Sequence, residues 1–268
     1  TLALTLLEQH LGAKELGRLA RPGNFFDFTR YRPRTRVVKG QRVLTTPNSV
    51  AQYAHDDSSD RDFLFLHLRE PHAMGEDYTD TIVTLLKHCD VTEYFRIGGM
   101  YDSVPHTRPL LVTGSLGEDQ AELAKGLVSP QRNTYQGPTS IINLVGDAMT
   151  QAELVSASLM VHLPQYVQLE ADHMGGYRLM EVLCAVDGFP KSLADPTRGQ
   201  KQYQDITKAV EDNTEVRTLI SQLETYYDRV LLDSQTEDAS TFSPDVEQFL
   251  REMGKRLDGD GDGQDDEE

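Results

Sequence analysis

Between two apolar runs of the chain lies Gly98-Gly99-Met100-Tyr101-Asp102-Ser103-Val104-Pro105-His106-Thr107-Arg108-Pro109. Pro105 and Pro109 bracket His106-Thr107-Arg108 so that the tripeptide cannot be helical. Gly98 and Gly99 free the backbone where the preceding strand is expected to end. The tripeptide offers a titratable imidazole, a hydroxyl and a permanent cation, a set suited to acid–base work or to holding an anionic group. Two other expected strands also end in polar residues, one in Glu70-Pro71-His72 and one in His162 with Gln165. Ligands of open α/β sheets sit outside the carboxyl ends of the strands. If these strands are parallel neighbours, Glu70, Asp102, His106, Arg108 and His162 converge. Thr139 follows Gly137-Pro138 and opens a helix, where it would add backbone N–H donors for a phosphate. The candidate binding residues are therefore Glu70, His72, Asp102, His106, Thr107, Arg108, Thr139 and His162, with no catalytic residue assigned. The same side chains can equally brace loops and subunit contacts by ordinary hydrogen bonds, and this plainer reading is preferred because a fold alone confers no chemistry.

Other chemistries find less support. His72, His106 and His162 lack the local ligand spacing of a zinc site, so no metal is expected. There is no Gly-x-Ser-x-Gly elbow. Cys89 follows His88 directly, and adjacent helical residues point apart, so neither cysteine has a histidine to activate it. Asp258-Gly259-Asp260-Gly261-Asp262-Gly263-Gln264 matches the first half of a calcium loop, but the twelfth ligand falls past Glu268. A solvated acidic tail is the expectation there, and no cofactor is expected anywhere.

Arg30, Arg32, Arg34 and Arg36 recur at every second residue and would share one face of a strand. They form either a docking stripe for an acidic partner or pairs with carboxylates of this chain or of another subunit.

The elements that must position these groups alternate between strand and helix. The chain has 268 residues, against roughly 100–200 per domain. A helix is expected over 1–11 and β structure over 25–46, with Lys39-Gly40 as a two-residue hairpin turn. A strand buried on both faces follows at 62–68, then a helix carrying Ile82, Leu85, Leu86 and Cys89. Next come a strand at 94–97, a short helix over 118–126, a turn at 135–139, a helix over 141–149, a strand at 155–161 and a helix over 172–186. This alternation predicts a layered α/β fold with a mostly parallel sheet. Residues 200–232 read as one long charged helix with the seam Leu219, Leu223, Tyr226, Val230, and a second helix is expected from Ser243-Pro244. The expected domains are an α/β sandwich over 1–196, a helical appendage over 197–256 and a disordered acidic tail over 257–268.

Bulk properties narrow the class of partner. The net charge is -17 with 38% hydrophobic residues, and the mean hydropathy is -0.48. The seven acids of Asp258–Glu268 leave -10 for the rest, which argues against nucleic acid and anionic membranes as partners. No apolar run reaches the about 20 residues of a membrane span, and the sequence opens Thr1-Leu2-Ala3-Leu4 without a methionine or a basic n-region, so no signal peptide is visible in it. Cys89 and Cys184 are expected to be buried free thiols of a cytoplasmic protein.

Several of these pieces resemble the proteasome assembly chaperone 2 family, in its bacterial branch. They are Arg32-Pro33 with Arg36, the hairpin, Arg61-Asp62, Gly98-Gly99, Val104-Pro105-His106-Thr107-Arg108-Pro109, Val112-Thr113-Gly114, Tyr135-Gln136-Gly137-Pro138-Thr139 and Val161-His162-Leu163-Pro164-Gln165-Tyr166-Val167, spanning about residues 26–190. The resemblance implies an α/β/α sandwich similar to the nucleoside phosphorylase fold, with C-terminal helices. It implies an assembly chaperone rather than an enzyme and carries over no catalytic residue. Family members usually open with a strand and a small-residue loop, whereas this sequence starts in the first helix. Archaeal relatives that dock on proteasome rings are expected to end in hydrophobic–Tyr–any residue, and Asp266-Glu267-Glu268 differs from that pattern.

Two functions follow as expectations. The first is a non-enzymatic, assembly-chaperone-like protein with an unknown protein partner, forming a homo-oligomer with a trimer as the first guess. The alternative is an enzyme acting on a nucleoside-like or other small substrate at the strand ends.

Overall fold

The structure is a computed structural model that describes residues 2–130, 139–152 and 154–235. The chain divides into two compact units. The first comprises Thr1–Met100, Leu110–His162 and Leu169–Tyr203, and the second Tyr101–Pro109, Leu163–Gln168 and Gln204–Glu268.

In the first unit, α1 (Leu2–Leu11) stops at Gly12, whose φ of 64° suits glycine. Strand β1 (Lys14–Arg18) pairs antiparallel with β4 (Val50–Asp56), and β4 pairs antiparallel with β5 (Arg61–His67). A separate antiparallel hairpin consists of β2 (Arg34–Val38) and β3 (Gln41–Thr45). Lys39 and Gly40 both have positive φ, 49° and 77°, as a two-residue primed turn requires.

Alternation along β5 explains why helices cover both its faces. Leu64 and Leu66 pack on the core of Phe26, Tyr78, Ile82, Leu86, Ile141, Val145 and Met149. These residues come largely from α2 (Gly75–His88) and α4 (Ile141–Gln151), which pack together. The alternate residues turn the other way. Phe63 meets Phe189 with ring centroids 5.4 Å apart, Arg61 donates to Asp187 at 2.9 Å, and His67 meets Glu8 of α1 at 2.5 Å. Asp187 closes α5 (His173–Asp187), whose Asp172 cap accepts from Gly175 N at 2.8 Å. Helix α1 packs on both α5 and β4.

A second sheet has the order β6 (Glu93–Asp102), β9 (Val155–Pro164), β7 (Val112–Ser115), β8 (Ser129–Pro130), and α3 (Glu118–Leu123) packs on α5. β7 runs antiparallel to β9 and parallel to β8.

The fold is mixed α/β, as expected, but the mostly parallel sheet is not found. The sheets are mainly antiparallel, because the β4–β5 connection is a tight turn at 57–60 rather than a helical crossover. Strands β1 and β4 escaped the sequence pattern. Gly98 and Gly99 do not end a strand either, since β6 continues through them to Asp102. A Cβ on Gly98 would lie 3.1 Å from the Met160 sulfur, so the glycine there serves close packing between strands.

The expected long helix over 200–232 is two helices, α6 (Thr197–Val210) and α7 (Thr214–Gln235). The Asn213 carboxamide accepts from the backbone of Glu215 and Val216 at 3.1 and 3.2 Å, which starts α7 afresh. Among the residues of α7 whose burial is described, Ile220, Leu223 and Tyr227 are buried, so Leu223 of the expected seam is kept while Leu219 and Tyr226 give way to their neighbours. Cys184 is buried, whereas Cys89 is exposed at the end of α2. The expected turn at 135–138, the helix from Ser243 and the tail from Asp258 lie outside the described residues. Among the described residues no helix is long and apolar enough to cross a membrane.

Candidate functional site

The His-Thr-Arg corner belongs to the second unit, and its partners there come from three segments. β6 ends at Asp102, whose carboxylate accepts from Ser103 N at 2.7 Å and whose carbonyl accepts from Gln165 N at 3.1 Å. Ser103, Val104, Pro105 and His106 are all buried. The His106 backbone N–H donates to the Tyr166 hydroxyl at 2.8 Å, and Nδ1 lies 2.6 Å from the same oxygen. Nε2 lies 3.0 Å from Thr207 Oγ1, and the tautomer sets which partner donates at each ring nitrogen. Burial holds the imidazole below its usual pKa, with Glu224 opposing the shift. It also pushes the Tyr166 phenol up to about 12. Both ring nitrogens of His106 are thus engaged within the fold.

Arg108 is clamped by two acids one turn apart on α7. Nε and Nη2 donate to the two oxygens of Asp228, each at 2.9 Å, and Nη1 donates to Glu224 Oε1 at 3.0 Å. Thr107 donates its hydroxyl to the same Glu224 oxygen at 2.6 Å. The hydrogen bonds from Arg108 hold the Asp228 carboxyl below its usual range and raise the guanidinium further. Tyr227 donates to the Pro109 carbonyl at 2.6 Å, which fixes the far end of the corner. The corner's one permanent cation is thus spent on the protein's own carboxylates.

An open cleft of about 360 Å³ lies beside the corner within this unit, with His106, Thr107, Thr207, Glu211 and Arg217 in its wall. Arg108 is not part of that wall, because it faces Glu224 and Asp228.

The remaining candidates lie in the first unit and have separate partners. Glu70 accepts from Ile141 N with both oxygens, at 2.9 and 3.1 Å. The helix N-terminus read as a phosphate site therefore already holds an anion, the Glu70 carboxylate. Thr139 stands beside it and accepts from the Asn143 carboxamide at 2.6 Å. His72 Nδ1 accepts from Asp27 N at 3.1 Å, and its ring lies against Tyr31. His162 Nε2 meets Thr113 Oγ1 at 2.9 Å. Glu70 and Thr139 are thus brought together at α4, and His106, Thr107 and Arg108 share one network. Among the described residues no group of three or more His, Cys, Asp or Glu could hold a metal ion.

Sequence reasoning missed Tyr166, Thr207, Glu224 and Asp228. The spacing of Glu224 and Asp228, four residues apart on a helix, marks a face that suits an arginine. Nothing in the chain order pairs that face with residue 108. The arginine stripe is also broken: only Arg34 and Arg36 lie in β2, while Arg32 donates to the Thr29 carbonyl in the preceding turn.

Comparison with known proteins bears on the fold. A PAC2 family protein from Streptomyces avermitilis shares 20% identity and superposes with a TM-score of 0.70, covering 81% of this chain and 91% of its own. A proteasome-assembly chaperone homologue from Mycobacterium tuberculosis shares 22% identity with a TM-score of 0.70, covering 81% and 92%. A protein of unknown function from Corynebacterium glutamicum shares 18% identity with a TM-score of 0.73, covering 85% and 84%. These likenesses establish the fold. No curated protein sequence gives a significant match. The PAC2 family model matches residues 1–197, which include the corner, its flanking strands and the loop of Tyr166, and the chain therefore belongs to the PAC2 family.

Proposed function

We propose that this protein acts by binding other proteins, as an assembly-chaperone-like factor without catalysis, and that it works in the cytoplasm as a homo-oligomer. The observation that carries the reading is the internal neutralisation of the corner. Arg108 gives three donors to Asp228 and Glu224, and Thr107 gives its hydroxyl to Glu224. A phosphate or carboxylate substrate would have to displace two carboxylates to reach that cation. Both nitrogens of His106 are also engaged, which leaves it poorly placed as a general base. The names of its family and of the Mycobacterium relative, a proteasome-assembly chaperone homologue, support a role in assembly.

The alternative, an enzyme of nucleoside-like substrates, rests on the cleft beside His106. Thermal-shift titration with inorganic phosphate, nucleosides and nucleotides separates the two, because a ligand stabilises in proportion to the logarithm of its concentration over its dissociation constant. The protein-binding reading expects no saturable shift with any of them. A saturable shift with phosphate, a nucleoside or a nucleotide would overturn it in favour of the enzyme.

A further inference from the structure

The β2–β3 hairpin is the least covered element of the described chain. All ten of its residues are exposed, and among the described residues it pairs with no other strand. The exposure extends to Val37 at 73%, Leu44 at 61%, Val38 at 51% and Val43 at 43%. Register places Val37 and Leu44 on one face and Val38 and Val43 on the other. Each face also carries cations, Arg42 on the first and Arg34 and Arg36 on the second. A lone two-stranded hairpin is marginal in water, and one that leaves four large aliphatic side chains in solvent is built to be covered.

Charge indicates by what. Between Arg30 and Arg42 there are six cations and no acid, so with a net charge of -17 the rest of the chain carries -23. Among the described residues only Arg30 of the six has a carboxylate within salt-bridge distance, Asp27 at 3.9 Å. A body so acidic repels nucleic acid and anionic membranes, which removes the usual polyanionic partners of a basic arm. It attracts the arm of an identical molecule. We infer that the hairpin is an assembly arm, which lays a face of mixed cations and aliphatic side chains on the acidic surface of a second copy of this chain. Each copy then offers both an arm and an acceptor, a heterologous contact that can close into a ring.

This inference rests on the homo-oligomer proposed above, and its test separates the two. Light scattering on the wild type at micromolar concentration should give a multiple of the 30.1 kDa chain mass. The variant Arg34→Glu/Arg36→Glu/Arg42→Glu should give the single-chain mass with unchanged circular dichroism. Salt at about 1 M, where the Debye length falls to about 3 Å, should weaken the wild-type assembly. Backbone amide exchange over residues 34–45 of the wild type should slow as its concentration rises, a readout independent of any variant's folding. A monomeric wild type would overturn both the oligomer and the arm. An assembled wild type whose mass survives the three substitutions, or whose hairpin amides exchange at the same rate at every concentration, would overturn the arm alone. So would an arm that proves necessary only for binding a different protein.

Discussion

Asp228 holds Arg108 by two parallel hydrogen bonds, Nε to Oδ1 and Nη2 to Oδ2, both 2.9 Å long. This fork is the geometry a guanidinium makes and an ammonium cannot. The two residues are 120 positions apart in sequence, so the pair fixes the corner loop against α7. Arg108→Ala and Asp228→Ala should each lower the melting temperature. Their effects should be less than additive in a double-mutant cycle, because either change alone breaks the same contact. Arg108→Lys should recover only part of the loss. Additive effects would show that the pair is ornamental. The Asp228 carboxyl is held low by Arg108, so its contribution is present above the unfolded carboxylate value of about 3.9 and fades as pH falls through the lower folded value.

The buried imidazole of His106 gives a second pH signature, nearer neutrality. Burial lowers its pKa in the fold, while in the unfolded chain it titrates near 6.5. Between those values the unfolded chain binds more protons, so stability rises with pH across that window. The contribution is complete above about 6.5 and is lost as pH falls through the folded value. Tyr166, at about 12, stays protonated throughout, and Glu224 works in the opposite direction by favouring the imidazolium. His106→Gln keeps a neutral hydrogen-bonding side chain and removes the titration. Its melting temperature should fall less than that of the wild type between about pH 7.5 and about pH 5.5. Identical slopes would mean that His106 is not the group responsible.

Local signals carried much of the fold. Lys39-Gly40 specified the hairpin because only a primed turn fits two residues between such strands. Helices α2, α4 and α5 announced themselves by apolar residues at helical spacing. What the sequence hid was strand partnership. β1 and β4 are polar enough to pass for loops, and without them the buried run 62–68 looked like a parallel strand flanked by crossovers. The site was half legible for a related reason. The residue types at His106, Thr107 and Arg108 were plain, but their partners Tyr166, Thr207, Glu224 and Asp228 lie 60 to 120 positions away. No periodicity encodes such a distance. The Glu70 carboxylate was read as a ligand group, although it satisfies a helix end 71 positions downstream.

That helix end supplies the next prediction. Ser140 occupies the cap position of α4 but makes no side-chain cap, and Glu70 takes over by accepting from Ile141 N with both oxygens. Removing a cap costs roughly 0.5–2 kcal/mol. Glu70→Ala should cost that much in equilibrium unfolding. Glu70→Gln, which keeps an acceptor but loses the favourable charge at the helix N-terminus, should cost only about 0.3–1 kcal/mol. An alanine variant as stable as the wild type would show that water caps α4 equally well.

The Val112-Thr113-Gly114 run has a steric rather than a chemical reason for its glycine. β7 and β9 pair antiparallel with Gly114 opposite Leu159. A Cβ at position 114 would lie 2.2 Å from the Ser158 carbonyl oxygen and 3.1 Å from Leu159 Cδ2. The first contact is with backbone, which cannot rotate away as a side-chain tip can, so the two strands would have to separate. Overpacking of this kind costs about 1–3 kcal/mol, and Gly114→Ala should fall at the upper end of that range. Gly17→Ala in β1 is the matched control, since its added methyl would meet nothing within 4 Å; its effect should stay within about 0.5 kcal/mol. Denaturant unfolding of both variants decides the point, and equal stabilities would mean that the approach of β7 to β9 is looser than 2.2 Å implies.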